Sequence, residues 1–379
     1  MTSPRSRNLS RLPLREELQG QEPYGAPQLA VKAMLNVNET TYDVPADVVD
    51  AIAKEVRSAA ARLNRYPDRE FSTLREKLAD YLNRDLAAEG EPAVLTAEHI
   101  WAANGSNEIM QHILQAFAGP GRSVLSFPPT YSMYPLYARG TYSEYIAGTR
   151  RADFTQTPED VAAQIREHRP NVVILCSPNN PTGTALSLET VEAAYEAATE
   201  SETMVVVDEA YGEFRQAGTG SALALLPGRE RLIVSRTMSK AFALAGGRLG
   251  YLAAAPEVTD AMRLVRLPYH LSAVTQATAV AALDHSATLM ANVERIKEQR
   301  DRIVASLKEM GLHPAPSDAN FVFFGGLHDE KAAWQHLLED GILIRDVGIP
   351  GHLRVTAGTE SETSEFLVSL RRFITSATA

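Results

Sequence analysis

A single cysteine, Cys176, stands among 379 residues, so no internal disulfide can form. That usage suits a reducing compartment, and a cytoplasmic protein is expected. Positive charge is not in excess: 37 Lys and Arg against 47 Asp and Glu leave a net charge of −10. Such a balance opposes non-specific binding to nucleic acid or to an anionic membrane, so neither is an expected partner. An anionic ligand must be caught locally. No apolar run approaches the roughly 18 residues that span a bilayer, and the N-terminus lacks the apolar stretch of a signal peptide. None of the nine histidines forms a His-x-x-x-His pair, and Cys176 has no cysteine partner, so no metal site is expected. Gly246-Gly247-Arg248-Leu249-Gly250 is not Gly-x-Gly-x-x-Gly, and no Gly-Lys-Ser/Thr loop occurs, which removes the nucleotide-binding motifs.

What is present reads as an ordinary globular chain, 45% apolar and 22% charged, long enough for one large or two interleaved domains. Arg5, Arg7, Arg11 and Arg15 with no intervening acid resemble a transit peptide in composition, but Pro4 and Pro13 oppose the amphipathic helix, and a mobile arm is expected. Two helices, Ala46–Leu63 and Ser72–Leu86, are predicted next. From residue 100 to 255, short apolar runs alternate with helical stretches. The runs Ile100–Ala103, Val124–Phe127, Val172–Cys176, Met204–Val207, Leu232–Val234 and Leu249–Ala253 are mostly continuous, as strands buried on both faces should be. Thr157 and Ser187 open two intervening helices as N-caps before acidic first turns. A long helix, Ala287–Met310, then leads to a smaller βαββα series. The fold class is therefore α/β, with a mostly parallel central sheet flanked by helices and a smaller α+β C-terminal domain. The expected division is an arm and substrate-site segment over 1–45, a large domain over 46–265 and a small domain over 266–379.

Ligands of open parallel sheets bind beyond the carboxyl ends of the strands, and the residues there are the informative ones. Gly105, Ser106 and Asn107 open a helix, either as a plain cap or as a phosphate site built from free N–H groups. Asp208 ends a Val-Val-Val strand, where a carboxylate is costly without a cation or donors. By itself it reads equally as a cap or as a ligand partner. Lys240 alone would be a surface lysine, and Arg248 alone a surface ion pair. Together these residues offer a lysine for a Schiff base, an acid for a pyridine nitrogen and a cradle for a phosphate, the three things pyridoxal phosphate requires. Tyr131 could stack on the ring, and Asn180 and Tyr211 could donate to its phenolic oxygen.

At these motifs the chain resembles the fold-type I, aspartate-aminotransferase-like enzymes that use pyridoxal phosphate, and within them the histidinol-phosphate aminotransferase family most closely. The resemblance runs almost the full length, through Pro23-Tyr24-Gly25, Leu35–Glu39, Asn64–Asp68, Asn104–Glu108, Ser177–Gly183, Asp208–Tyr211, Ser239–Tyr251 and Leu353–Thr359. It implies pyridoxal 5'-phosphate as cofactor, with Lys240 as its covalent anchor and catalytic base, Asp208 on the pyridinium, Tyr211 and Asn180 on the phenolic oxygen and Tyr131 stacked on the ring. The phosphate would rest on Gly105, Ser106 and Asn107, with Thr237, Ser239 and Arg248, and Tyr66 would reach in from the other subunit of a homodimer. Arg354 and Arg345 would meet the substrate's anionic groups, with Asn36 and Tyr24 also at the substrate. The activity implied is amino-group exchange between L-histidinol phosphate and 2-oxoglutarate in histidine biosynthesis. Rival readings are an aromatic (phenylalanine) aminotransferase, a threonine-phosphate decarboxylase and a non-catalytic regulator, the last lacking any DNA-binding segment. One departure stands out: Asn38-Glu39-Thr40-Thr41 replaces the family's usual Asn-Glu-Asn-Pro.

Overall fold

The computed structural model describes residues 12–21, 25 and 29–377. The chain separates into two compact units, Met1–Ala30 and Val31–Ala379. Within the first, the regular element among the described residues is a 3₁₀ turn, Glu16–Leu18. Within the second, the strands are β1 (Ala33–Met34), β2 (Ile100–Ala103), β3 (Ser123–Ser126), β4 (Glu144–Ala147), β5 (Val172–Cys176), β6 (Met204–Asp208), β7 (Leu232–Thr237), β8 (Gly250–Ala254), β9 (His313–Pro314), β10 (Phe321–Gly325), β11 (Ile342–Leu343), β12 (Arg345–Asp346) and β13 (Leu353–Thr356). The helices are α1 (Ala46–Ala60), α2 (Ser72–Ala88), α3 (Ser106–Phe117), α4 (Tyr134–Gly140), α5 (Pro158–His168), α6 (Leu188–Thr199), α7 (Pro256–Val265), α8 (Ala273–Asp284), α9 (Ser286–Glu309), α10 (Glu330–Glu339) and α11 (Glu360–Ala377).

The large sheet has seven strands in the order β2-β8-β7-β6-β5-β3-β4. Its central strands are buried along their whole length, which is why β5 (Val-Val-Ile-Leu-Cys) and β6 (Met-Val-Val-Val-Asp) show no polar alternation. The sequence pattern had placed Leu249–Ala253 with the parallel strands; β8 instead runs antiparallel to both β7 and β2. The reason lies in the connection. Between β7 and β8 the chain contains no helix, and without a helical crossover it returns from the edge at which β7 ended. Six strands thus share one direction, and β8 begins where they finish.

A four-stranded sheet, β12-β13-β10-β9, is antiparallel throughout and carries α10 and α11 after its strands, matching the smaller α+β series read from sequence. β1 pairs in parallel with β11, Ala33 opposite Ile342, so the segment before α1 is tied to the C-terminal part of the chain. By sequence, Ile342–Arg345 reads as one strand of the βαββα series; the structure breaks it into β11, paired with β1, and β12, paired with β13. Among the described residues no helix is long and apolar enough to cross a membrane.

Both helix starts read from sequence have their caps. Thr157 accepts the Asp160 N–H while the Asp160 carboxylate accepts the Thr157 N–H, closing a capping box, and Ser187 accepts from the Thr190 N–H. These bonds satisfy helix N–H groups that have no intrahelical acceptor. Thr157 stands well apart in sequence from the strand-end motifs. Replacing Thr157 with Ala should lower stability by about 1 kcal/mol, measured as a shift in the denaturant midpoint at unchanged slope, with catalytic constants unaltered.

Candidate active site

The strand ends converge on one edge of the large sheet. Asp208 closes β6 and is 4% exposed. Its Oδ1 accepts from Ser235 Oγ at 3.0 Å on the neighbouring strand, and its Oδ2 accepts from Tyr134 Oη at 2.8 Å. Burial pushes the carboxyl pKa up, the Tyr134, Ser235 and Ala210 donors pull it down, and the charge of Glu209 adds to the rise. Among the described residues no cation forms an ion pair with it. Glu209, next in the chain and 3% exposed, is treated differently: Arg236 donates to its Oε2 from Nε at 3.1 Å and Nη2 at 2.9 Å, and Ser221 Oγ and the Ala222 N–H also donate to it. One carboxylate is neutralised within the protein, whereas the other has hydroxyl and amide donors alone.

The loop read from sequence as a phosphate cradle lies where β2, β7 and β8 meet. Gly250 is opposite Ala103 on one side and Thr237 on the other. A Cβ on Gly250 would lie 2.2 Å from the Ser106 nitrogen, so only glycine lets β8 approach that loop. Gly105 has φ +81°, and a Cβ there would lie 2.6 Å from Arg248 Nη2. The guanidinium therefore rests directly over the start of α3, whose first N–H groups have no intrahelical acceptor. By sequence, Gly246-Gly247 permit a tight turn that would return Arg248 toward a phosphate, and the turn is expected there. The structure corrects this: Ala243 (φ 53°) and Arg248 itself (φ 54°) hold the left-handed conformation. Ser239 completes the edge, its N–H donating to Thr237 Oγ1 at 3.1 Å and its Oγ lying 3.0 Å from the same atom.

Lys240 lies in the turn after β7. Its ammonium contacts the Val37 carbonyl at 3.4 Å, and Thr40 Oγ1 donates to its main-chain carbonyl at 2.7 Å. Burial lowers the Lys240 pKa to about 8; Glu39 opposes that shift, and the cations of Arg354 and Arg248 reinforce it. Arg354, on β13, donates to Asn180 Oδ1 at 2.5 Å and to the Asn36 carbonyl at 2.8 Å, and its guanidinium stands 5.0 Å from the centre of the Phe321 ring. Tyr211 is buried with its hydroxyl accepting from Asn38 Nδ2 at 3.0 Å; burial pushes its pKa up to about 12 against the opposing effects of Arg354 and Asn38.

Thus Lys240, Asp208, Gly105, Ser106, Thr237, Ser239, Arg248, Asn180, Tyr211, Asn36 and Arg354 gather at this edge. Tyr131 is half-buried, edge-on to Tyr134 at 5.6 Å. The Asn107 side chain accepts from the Tyr137 hydroxyl at 2.7 Å. Arg345 is partly exposed on β12, directly opposite Arg354. Tyr66 is 79% exposed and stacked on Tyr269, ring centres 4.3 Å apart. Tyr24 lies outside the described residues. Tyr134, the donor to Asp208, was not singled out from sequence, although it stands only three residues after Tyr131, at the first position of α4. Among the described residues no group of acidic, histidine or cysteine side chains is arranged to hold a metal.

The family model for aminotransferase class I and II matches residues 31–370. The histidinol-phosphate aminotransferase of Paenarthrobacter aurescens is 65% identical over 366 residues, covering 97% of this chain and 96% of that protein. That of Thermobifida fusca is 55% identical, covering 95% of each. Among solved structures, the histidinol-phosphate aminotransferase of Sinorhizobium meliloti in complex with pyridoxal-5'-phosphate superposes with a TM-score of 0.79 at 25% identity, over 92% of both chains.

In protein stripped of cofactor, the Lys240 amine should react with an acylating reagent with a midpoint near pH 8, whereas exposed lysines need about pH 10.4. The sign follows from burial: the cation is disfavoured, so the neutral nucleophile prevails at lower pH than usual. Peptide-resolved labelling rates across that range check this, and a midpoint at the ordinary lysine value would refute it.

Proposed function

The chain belongs to the class I and II aminotransferases, and from that premise we propose that it exchanges an amino group between L-histidinol phosphate and 2-oxoglutarate in histidine biosynthesis, with pyridoxal 5'-phosphate as cofactor. The observation that carries the cofactor is Asp208: a buried carboxylate at the sheet edge, given hydroxyl and amide donors but no cation, suits a protonated pyridine nitrogen. The rest of the edge fits the same group, with the cradle of Gly105, Ser106 and Asn107 under Arg248, and with Thr237 and Ser239, for the phosphate. When bound, pyridoxal phosphate supplies an aldehyde that condenses with amines and a ring that draws off electrons.

In this reading Lys240 Nζ is both the cofactor's anchor and the base that takes the proton from the substrate Cα. Its lowered pKa keeps a useful fraction of the amine neutral near pH 7, as a base for that proton must be. Asp208 keeps the ring nitrogen protonated, and Ser235 and Tyr134 hold its two oxygens in place. With Asn180 Oδ1 engaged by Arg354, the Asn180 amide N–H would be left to donate to the phenolic oxygen beside Tyr211, and Tyr131 would stack on the ring.

Arg345 and Arg354 are directly opposed across β12 and β13, so their side chains share one face of the small sheet. Like charges in that position repel, and an anion between them removes the penalty. Two guanidinium forks suit a phosphate ester better than the single one a carboxylate needs. Asn36 presents its carbonyl to Arg354 and so holds the substrate side of the pocket; Tyr24 belongs to the same reading.

The division into an arm and substrate-site segment over 1–45, a cofactor domain over 46–265 and a small domain over 266–379 is part of this proposal. So is a homodimer in which Tyr66 serves the neighbouring site. Tyr66 stacks on Tyr269, near which Leu264 (86% exposed) and Leu267 (77% exposed) stand bare, an apolar surface of the kind that partners cover. A cytoplasmic setting accords with one buried cysteine.

Borohydride reduction followed by peptide mapping should find the pyridoxyl group on Lys240, and Lys240→Ala should abolish transamination; the label on another lysine would overturn the assignment. Arg345→Ala should lower kcat/KM for histidinol phosphate by about ten- to a hundred-fold and that for glutamate by much less, while Arg354→Ala lowers both. Steady-state kinetics with the two donors decide it. Small equal losses for Arg345→Ala, with phenylalanine outcompeting histidinol phosphate, would favour an aromatic aminotransferase.

A further inference from the structure

Gly105 has only its backbone, and Ser106 its N–H and hydroxyl, to offer a phosphate, so the cradle is only as well placed as whatever holds that loop. The loop before α8 holds it from outside. Asn104 Nδ2 donates to the His270 carbonyl at 2.8 Å, and both the Asn104 N–H and Nδ2 donate to Glu108 Oε2, at 2.6 and 2.7 Å. The carboxylate in the first turn of α3 is thereby held by Asn104. His270 reaches back in turn: its Nε2 is 2.9 Å from the Ala102 carbonyl, which can only accept, so Nε2 carries the proton. Its ring stacks on Trp101 at 5.5 Å with planes 9° apart, and Trp101 Nε1 donates to His112 Nδ1 at 3.2 Å. His270 Nδ1 is buried with no hydrogen-bond partner, so the ring's orientation satisfies Ala102 and the stack at the expense of its second nitrogen. Burial lowers the pKa of both imidazoles, His112 to about 4, which favours their neutral forms near pH 7, while the Ala102 and Trp101 contacts select the tautomers.

We propose that Asn104 and His270 are positioning residues for the cofactor phosphate, setting the Gly105–Ser106 backbone through the Ala102, Asn104 and Glu108 contacts. The inference rests on the pyridoxal phosphate reading above. It predicts a loss confined to ligands that carry the phosphate. Pyridoxal, which lacks it, can still reach Lys240 and Asp208.

The test is titration of the full-length cofactor-free protein with pyridoxal phosphate and with pyridoxal, followed by absorbance. Asn104→Ala should raise Kd for pyridoxal phosphate about tenfold and leave that for pyridoxal unchanged. His270→Phe, which keeps the stack on Trp101 but loses the donor to Ala102, should show the same selective loss, and His270→Gln, which keeps an N–H donor, should recover part of it. The His270 pair carries the comparison if Asn104→Ala does not fold. Equal losses for the two ligands, or none for either, would overturn the positioning role. Wild-type protein that binds pyridoxal phosphate no better than pyridoxal would instead overturn the phosphate cradle itself.

Discussion

Two adjacent buried carboxylates, Asp208 and Glu209, set the terms for the rest of the site. Successive residues of an extended chain point to opposite faces, so the pair must be neutralised from two sides of the sheet. Glu209 meets Arg236, itself 1% exposed and also paired with Asp85 of α2 at 2.7 Å, and Arg215 lies 3.4 Å away. That network ties the ends of β6 and β7 to the helical layer. Asp208 on the other face receives neutral donors only; these do not offset burial, which raises its proton affinity. In the proposed reading, the protonated ring nitrogen of the cofactor would supply the missing cation.

The antiparallel return of β8 is what makes the cradle compact. It delivers Arg248 and Gly250 to the edge where β2 and β7 end, so the loop at Gly105, the hydroxyls of Thr237 and Ser239, and a guanidinium occupy one corner. Lys240 lies in the same return. Its contacts with Val37 and Thr40 link it to the segment that precedes α1, and Arg354 and Arg248 add their charge to the effect of burial on its amine. Where the family usually reads Asn-Pro, Thr40 uses its hydroxyl to hold the lysine's own carbonyl.

Much of this was legible in the chain. Continuous apolar runs mark buried strands whatever their partners, and the residues after them mark the ligand edge because an open parallel sheet has only one place for a ligand. Ser177–Gly183, Asp208–Tyr211 and Ser239–Arg248 needed only local reading. The direction of β8 was not legible, because a fully buried antiparallel strand and a parallel one have the same composition. Nor was the source of the Arg248 turn, since glycines permit a left-handed conformation without requiring it and Ala243 adopted it instead.

The sequence by itself determined the strand-and-helix order and which side chains stand at strand ends, because both follow from periodicity and short-range spacing. The tertiary structure alone decided the pairings: Tyr134 with Asp208, Arg354 with Asn180 and Asn36, Asn38 with Tyr211, Asn104 with His270. Each joins residues tens to hundreds of positions apart. No local pattern encodes such contacts, because what selects them is the requirement that buried polar groups find partners once the layers have closed.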